Sequence, residues 1–187
     1  MTTCLDRFRI GLVAIWLSGV AAVAQADQTI AELKPLFDAL ASASDASEAS
    51  QIELQIWQHW LTAPDDNSAA LMSQVVAAMQ ARQLTLGLKL SDQLIDSTPD
   101  FAEAWNKRAT LHYLLGDIEA SVDDIKQTVK LEPRHFGAIS GLGLIFLKRG
   151  NYQNALDAFE QVLKISPQSQ NTLRSIERVR NKLGDKI

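Results

Sequence analysis

Apolar residues recur every three to four positions along most of the chain, which is the spacing that places them on one face of a helix. Short clusters of Gly, Pro, Asp and Asn separate these stripes, and such residues end helices or cap their first turns. No segment shows a convincing alternation of period two, so the pattern predicts an all-α protein. From residue 66 onward it predicts helices over about 68–81, 84–96, 101–115, 118–131, 136–149, 152–165 and 169–183.

The pattern then repeats with a period of 34 residues. Pro99, Pro133 and Pro167 lie at that interval, each just past a predicted helix, where proline is favoured because it cannot continue the helix. Gly116 and Gly150 lie at the same interval and suit the left-handed conformation that ends the first helix of a pair. Two helices per 34-residue unit are the signature of a helical solenoid.

The residues that keep step across these units resemble those of the tetratricopeptide repeat (TPR) family. In the last unit they are Ile139, Leu142, Gly143, Phe146, Ala155, Phe159, Val162 and Pro167. In the middle unit they are Trp105, Arg108, Ala109, His112, Ser121, Ile125, Thr128 and Pro133. In the first, degenerate unit they are Leu71, Gln74, Val75, Ala78, Gly87, Ser91, Leu94 and Pro99. The resemblance implies a right-handed TPR-type solenoid of about three repeats within 65–167, over about 68–101, 102–135 and 136–169.

Two helical segments flank the repeats. Residues 27–64 carry two apolar stripes and predict a helical hairpin, which we interpret as an N-terminal cap or a divergent further repeat. Its tryptophans, Trp57 and Trp60, are expected to bury apolar area on the exposed end of the stack. Residues 168–187 predict a C-terminal capping helix, because a solenoid needs a polar-backed helix to cover its last core layer.

The first 26 residues have the pattern of a secretory signal peptide rather than of a folded element. Arg7 and Arg9 precede an apolar run over 10–23, and small residues follow at 24–26, where cleavage after Ala26 is predicted. The run is shorter than the roughly 20 residues of a membrane-spanning helix, although a retained membrane anchor is the alternative. The lone cysteine, Cys4, precedes the apolar run. The sequence thus predicts a periplasmic or secreted protein.

Composition and motifs point away from catalysis. The net charge of −4 gives no electrostatic footprint for nucleic acid. The chain carries no nucleophile motif, phosphate-binding loop or metal-ligand cluster. The three histidines fall on different predicted elements without ligand spacing: His59, His112 and His135. We therefore expect no enzyme, no cofactor and no metal.

Arg108 departs from the TPR pattern, which usually has a leucine there facing the interface of the helix pair. A half-buried arginine needs a carboxylate, and Asp124 is the expected partner, with Asp123 as a substitute. A ligand-facing role for Arg108 is the alternative. A structural pair predicts that Arg108→Leu is tolerated and that Asp124→Ala destabilises. Clustering of these residues with His112 around a cleft would instead support an enzyme.

The resemblance also implies a binding surface, since TPR proteins usually bind in the concave groove lined by the first helix of each pair. The corresponding residues here are Met72, Val76, Met79, Glu103, Asn106, Lys107, Thr110, Tyr113, Ser140, Leu144, Leu147 and Lys148. The apolar members favour an extended or helical peptide with apolar anchors. Only Asn106 and Lys107 resemble the ring of lysines and asparagines in the family's carboxylate-clamp subtype, so that subtype is not expected. Each of these side chains could instead pack against the next repeat.

The resemblance therefore implies a protein–protein interaction module or scaffold that binds a protein or peptide in the cell envelope. No nucleic-acid partner and no stable membrane insertion after cleavage are expected. The alternative is a structural or assembly subunit that associates through its end faces, with itself or with another protein.

Overall fold

The computed structural model of the protein describes residues 32–184, and all regular secondary structure within them is helical. The predicted signal peptide lies outside the described residues. The helices are α1 (residues 32–41), α2 (Ala46–Leu61), α3 (Asp66–Gln80), α4 (Leu84–Ser97), α5 (Ala102–Leu115), α6 (Ile118–Leu131), α7 (Phe136–Lys148), α8 (Tyr152–Ile165) and α9 (Gln170–Gly184). The all-α repeat solenoid predicted from the 34-residue period is confirmed.

The repeats are helix pairs packed one on the next: α3 with α4, α5 with α6, and α7 with α8, while α9 packs on α8. The close approach of helices within and between pairs depends on glycine, which has no side chain. A Cβ added at Gly143 would lie 2.6 Å from the Phe159 ring, and one at Gly87 would lie 2.9 Å from Leu111. Glycine at these positions therefore lets neighbouring helices come into contact.

The turn inside each pair follows the sequence signals closely. Gly116 and Gly150 end α5 and α7 with φ of +89° and +72°, the left-handed conformation that a side chain disfavours. The next residues, Asp117 and Asn151, cap α6 and α8 by accepting backbone N–H groups. In the first repeat the equivalent turn residue is Arg82, which adopts φ of +56° without the freedom of glycine.

The N-terminal hairpin, α1 and α2, lies in a different place from the one expected. Its apolar residues share one core with side chains of the last two helix pairs, including Phe136, Ile139 and Val162. Ser166 at the end of α8 donates a hydrogen bond to Glu53 of α2 (2.7 Å). The hairpin therefore braces the C-terminal repeats instead of covering the N-terminal end of the stack.

The tryptophans of α2 explain this placement. Trp60 is only 6% exposed and stacks on His135 with ring centroids 4.0 Å apart. Trp57 lies edge-on to both Trp60 and Phe136, and its ring fills the space that a Cβ at Gly137 would occupy. The tryptophans therefore bury their apolar area against the start of α7, whereas the sequence predicts that this area is buried on the exposed end of the stack.

Candidate functional site

A pocket of about 340 Å³ lies between α5 and α7 on the concave side, with α6 at its floor. Its lining consists of Asn106, Ala109, Thr110, Tyr113, Leu114, Ser121, Ile125, Gly137, Ala138, Ser140, Gly141, Leu144 and Ile145. Five of these residues belong to the predicted groove: Asn106, Thr110, Tyr113, Ser140 and Leu144. Leu114 and Leu144 are 52% and 39% exposed, so the rim presents apolar surface to solvent. The pocket is large enough to bury one bulky apolar side chain.

The other eight lining residues were not among the predicted groove residues, and Leu114, Gly137 and Gly141 are the informative ones. Leu114 follows Tyr113 on the concave face of α5, so its helical position was a usable signal. The two glycines carry no side chain to point into a groove, and only the structure shows that they open it.

A second hollow of about 380 Å³ lies where the end of α2 meets α3. Its lining residues are Leu61, Ala69, Met72, Ser73, Val76, Ala77 and Gln80. Met72 and Val76 of the predicted groove belong to it, although Met72 is itself only 4% exposed and contributes to the core. Met79 lines neither pocket.

Glu103 is part of a buried polar network rather than an exposed groove residue. It is 1% exposed, and its Oε2 accepts hydrogen bonds from Asn106 Nδ2 (3.0 Å) and His135 Nε2 (2.9 Å). Lys107 Nζ lies 2.5 Å from its Oε1. His135 Nδ1 accepts the N–H of Ala138 at the start of α7 (3.1 Å), so the ring proton is on Nε2 and points to Glu103.

This network keeps the carboxylate charged. Burial alone would raise the pKa of Glu103, but the hydrogen bond from His135 and the charge of Lys107 hold it below its usual value. Asn106 and Lys107, the two residues resembling a carboxylate clamp, thus both bind a carboxylate of the chain itself. Their polar groups are engaged inside the protein, which agrees with the expectation that the clamp subtype is not formed.

The α2 hairpin adjoins the pocket at one end. Lys107 Nζ lies 5.4 Å from the centre of the Trp57 ring, and Trp57 covers Gly137, which is also a pocket residue. The groove along α5 and α7 is thus bounded by an aromatic wall that the sequence pattern did not indicate.

Two further residues of the predicted groove, Lys148 and Leu147, lie in different surroundings. Lys148 is exposed, and its Nζ lies 5.0 Å from the ring of the pocket residue Tyr113. Leu147 packs in the apolar cluster around Phe159 and Ile176, and so lies in the contact between α7, α8 and α9. Lys148 therefore lies at the rim of the pocket, and Leu147 belongs to the packing between α7, α8 and α9.

Arg108 lies on another face of α5, away from both pockets. Its Nε and one terminal nitrogen donate hydrogen bonds of 2.8 Å to the two carboxylate oxygens of Asp124. The other terminal nitrogen donates a hydrogen bond of 2.8 Å to Asp92. Asp123 instead contacts Lys126 on the surface. The carboxylates hold the pKa of Arg108 above its usual value, through the Asp124 hydrogen bonds first, against the opposing effect of burial.

His112 lies beside this pair, with Nε2 3.9 Å from Asp124 Oδ2. Arg108, His112 and Asp124 lie outside the linings of the two pockets described above. Within residues 32–184, no group of three or more potential ligands could hold a metal ion. No helix in the same range has the length and apolar character to cross a membrane.

Paired helices stacked at a 34-residue period around a concave groove define an α-helical repeat protein. A family model for the tetratricopeptide repeat matches residues 72–125 and 108–170. The chain belongs to the TPR family. TPR domains are generally protein–protein interaction modules that bind peptides.

Relatives and solved structures agree with this assignment. A TPR repeat-containing protein of Rhizobium etli is 34% identical over 151 residues, which cover 81% of this chain and 74% of the relative. The Sgt2 TPR domain from Aspergillus fumigatus has the same fold, with a TM-score of 0.61 at 23% identity over 66% of this chain and 83% of that one. The first TPR of Spaghetti (RPAP3), bound to the HSP90 peptide SRMEEVD, superposes with a TM-score of 0.60 at 15% identity. The match covers 63% of this chain and 93% of that one.

Proposed function

We propose that the protein is a scaffold of the cell envelope that binds a partner protein through a peptide segment held in the concave groove. The pocket between α5 and α7 is the observation that carries this proposal. It is preformed and lined mainly by apolar groups, and Leu114 and Leu144 remain exposed on its rim. A preformed pocket binds with little reorganisation, which favours recognition of a short segment.

The ligand is expected to differ from the HSP90 peptide in the RPAP3 complex. Asn106 and Lys107 are the only groove residues here that resemble a clamp for a terminal carboxylate, and Glu103 already occupies both. A carboxylate clamp would present free cationic and amide donors to its ligand. The groove of this protein presents an apolar pocket instead. An internal segment of a partner with an apolar anchor fits this surface better than a chain terminus.

The location in the envelope rests on the sequence of residues 1–26, with its basic start, apolar run and small residues before Asp27. N-terminal sequencing of the protein recovered from its native cells tests it. A mature chain beginning at Asp27 in the periplasm or medium is expected. An intact N-terminus in the cytoplasm would contradict the location but leave the groove proposal standing.

Site-specific crosslinking in native cells tests the groove. A photo-reactive residue in place of Tyr113, which lines the pocket, should give one dominant adduct with an envelope protein, identified by mass spectrometry. The same residue at Lys130, exposed on α6 outside the pocket lining, is the matched control. Equal adducts from both positions, or none from Tyr113, would refute binding in the groove.

A second candidate is an assembly role through the C-terminal end of the stack. Leu173 on α9 is 38% exposed, and α9 has no following helix within the described residues. Light scattering should then show a self-associated species that Leu173→Asp dissociates. A monomer in both forms would rule out self-association through this surface.

A further inference from the structure

The concave groove continues beyond the pocket onto α9, because α9 packs on α8 as α7 packs on α6. The buried residues of α9 are Thr172, Ile176 and Val179. They lie 34 residues after Ala138, Leu142 and Ile145, the α7 residues in the apolar core shared with α6. The two helices thus turn the same faces to their preceding partners.

The same offset identifies the side chains that α9 adds to the groove. Ser140 and Leu144 of the pocket lining correspond to Arg174 and Arg178. Both arginines are exposed, and neither forms an ion pair within the described residues. Lys148, on the rim of the pocket, also has no carboxylate partner there. These three side chains, Lys148, Arg174 and Arg178, form what we call the cationic edge.

Carboxylates are nearly absent from the helices that line this part of the groove. Glu103 and Glu177 are the only acidic residues within α5, α7 and α9. Glu103 is buried and held by Asn106, Lys107 and His135. Glu177 corresponds to Gly143, which faces Phe159 and not the groove. The chain carries a net charge of −4, yet its groove is cationic on the C-terminal side of the pocket.

We propose that the groove binds an extended peptide segment in which a bulky apolar side chain enters the pocket and an acidic side chain contacts the cationic edge. This inference rests on the proposed function and specifies the chemistry of the partner. Packed helices lie roughly 10 Å apart. An extended chain advances about 3.3 Å per residue, so the acidic residue lies about three positions from the anchor.

The charges on the two sides of the pocket fix the side on which the acidic residue lies. On the α5 side the cation beside Trp57 is Lys107, which is neutralised by Glu103. An acidic side chain on the α5 side of the anchor thus meets a lysine that is already paired. On the α9 side it meets three cations without ion-pair partners, which attract it at close range and steer its approach.

Selection of random 12-residue peptides displayed on phage, with the protein as bait, tests the proposal. Affinities of the selected peptides follow from fluorescence anisotropy at low and physiological salt. Selected sequences should share a bulky apolar residue with Asp or Glu about three positions away. Arg174→Glu with Arg178→Glu should weaken binding about tenfold or more, and added salt should weaken binding to the wild type.

Matched variants separate this effect from general ones. Lys130→Glu with Lys164→Glu makes the same change in net charge at exposed positions of α6 and α8, and should alter affinity less than about twofold.

Gly141→Leu should abolish binding by filling the pocket, because the nearest atom to a Cβ at Gly141 is Ile125 Cδ1, at 3.6 Å. If Gly141→Leu disturbs α7, Gly141→Ala is the milder variant, because alanine fills only part of the pocket. Thermal melts check that each variant is folded.

The outcomes distinguish the two proposals. Peptides that lose binding with Gly141→Leu, yet lack acidic residues and ignore the arginine reversal, would overturn the acidic-segment inference and leave groove binding intact. Failure to select any peptide, or binding that survives both changes, would overturn both. Binding of a single-stranded RNA 12-mer or of phosphatidylglycerol vesicles that is lost on arginine reversal, without peptide binding, would assign the cationic edge to another class of ligand and also overturn the inference.

Discussion

Arg108 lies between three helices, since it projects from α5 and contacts Asp92 on α4 and Asp124 on α6. The Asp124 side chain is 6% exposed, the Arg108 side chain 20% and the Asp92 side chain 58%. The carboxylate is therefore more deeply buried than the arginine, and the arginine has a second partner. Because of this difference in burial, we expect the opposite order of mutational effects from the one that the sequence alone suggests.

We expect Arg108→Leu to lower the free energy of unfolding by roughly 2–3 kcal/mol, because it leaves the buried Asp124 without a close cation. Asp124→Ala should cost less, about 1 kcal/mol, since Asp92 still pairs with the arginine. The double variant copies the last repeat, which has Leu142 and Ala158 at these positions, and should recover most of the loss. Urea unfolding measures all three. A double variant as unstable as the sum of its parents would refute a coupled pair.

Glu103 makes the stability of the fold depend on pH in the acid range. Its folded-state pKa is below the usual 4.5, because hydrogen bonding to His135 and the charge of Lys107 outweigh burial. The group therefore stabilises the fold above about pH 4.5, and this contribution is lost as the pH falls through the folded-state pKa.

Glu103→Gln should destabilise the protein by roughly 2 kcal/mol at pH 7, since the buried network loses its negative charge and one of its two acceptor oxygens. It should also flatten the decline in stability between pH 5 and pH 3, as followed by urea unfolding. Glu119→Gln, at an exposed carboxylate on α6, is the control and should retain the steep wild-type decline. Equal slopes for wild type and Glu103→Gln would contradict this role.

At the scale of a helix, α7 contains three glycines in different surroundings. A Cβ at Gly137 would lie 2.6 Å from Trp57, one at Gly143 2.6 Å from Phe159, and one at Gly141 3.6 Å from Ile125. The same substitution at these three places therefore has three different consequences. Two of the glycines maintain contacts between helices, and the third maintains the pocket.

Alanine at each glycine separates these roles by thermal melting. Gly141→Ala should raise stability by about 0.5–1 kcal/mol, because alanine favours the helix and fits the space. Gly143→Ala should lower it by about 1–3 kcal/mol through overpacking against Phe159. Gly137→Ala should displace Trp57 and change tryptophan fluorescence. Uniform stabilisation by all three would mean that these contacts are not tight.

The turn between α3 and α4 carries the least favourable residue for its conformation. Arg82 adopts φ of +56° where the other repeats have Gly116 and Gly150. Arg82→Gly should stabilise the protein by about 0.5–1 kcal/mol, because glycine enters this region without a steric penalty. Gly116→Ala should destabilise by a similar amount. A lower melting temperature for Arg82→Gly would show that the arginine side chain makes a compensating contact.

The periodic features of the chain were predictable, and its single events were not. The helices and the turns at Gly116 and Gly150 follow from a pattern that recurs along the chain, and the Arg108–Asp124 contact follows from a departure from that pattern. The contact of Trp57 with Gly137 joins residues 80 positions apart and has no counterpart in the other repeats between residues 66 and 165. The same holds for Glu103 and His135, which sequence reasoning placed in a groove and a turn but which meet in one buried network.

On the scale of the whole molecule, the α1–α2 hairpin changes how the repeats are coupled. In a simple solenoid each repeat contacts only its neighbours, so stability is a sum of local terms. Here the hairpin precedes the first repeat in the chain but shares a core with α7 and α8. Residues near the start of the chain thus stabilise its last repeat directly.

Hydrogen exchange detected by mass spectrometry should reveal this coupling. Trp60→Ala removes a side chain that is 6% exposed and should cost about 3–5 kcal/mol of hairpin docking. Amides of α7 and α8 should then exchange faster, while those of α3 and α4 change little. Loss of protection confined to α2 and α3 would instead indicate ordinary nearest-neighbour coupling.

The docking of the hairpin also has a consequence for the newly made chain. Trp60 is synthesised about 100 residues before Val162, with which it shares a core. At about 5–20 residues per second, that separation corresponds to roughly 5–20 seconds during which the surface that receives the tryptophans does not yet exist. The first helices to be made are therefore among the last to reach their places, and the last repeat must be complete before they do.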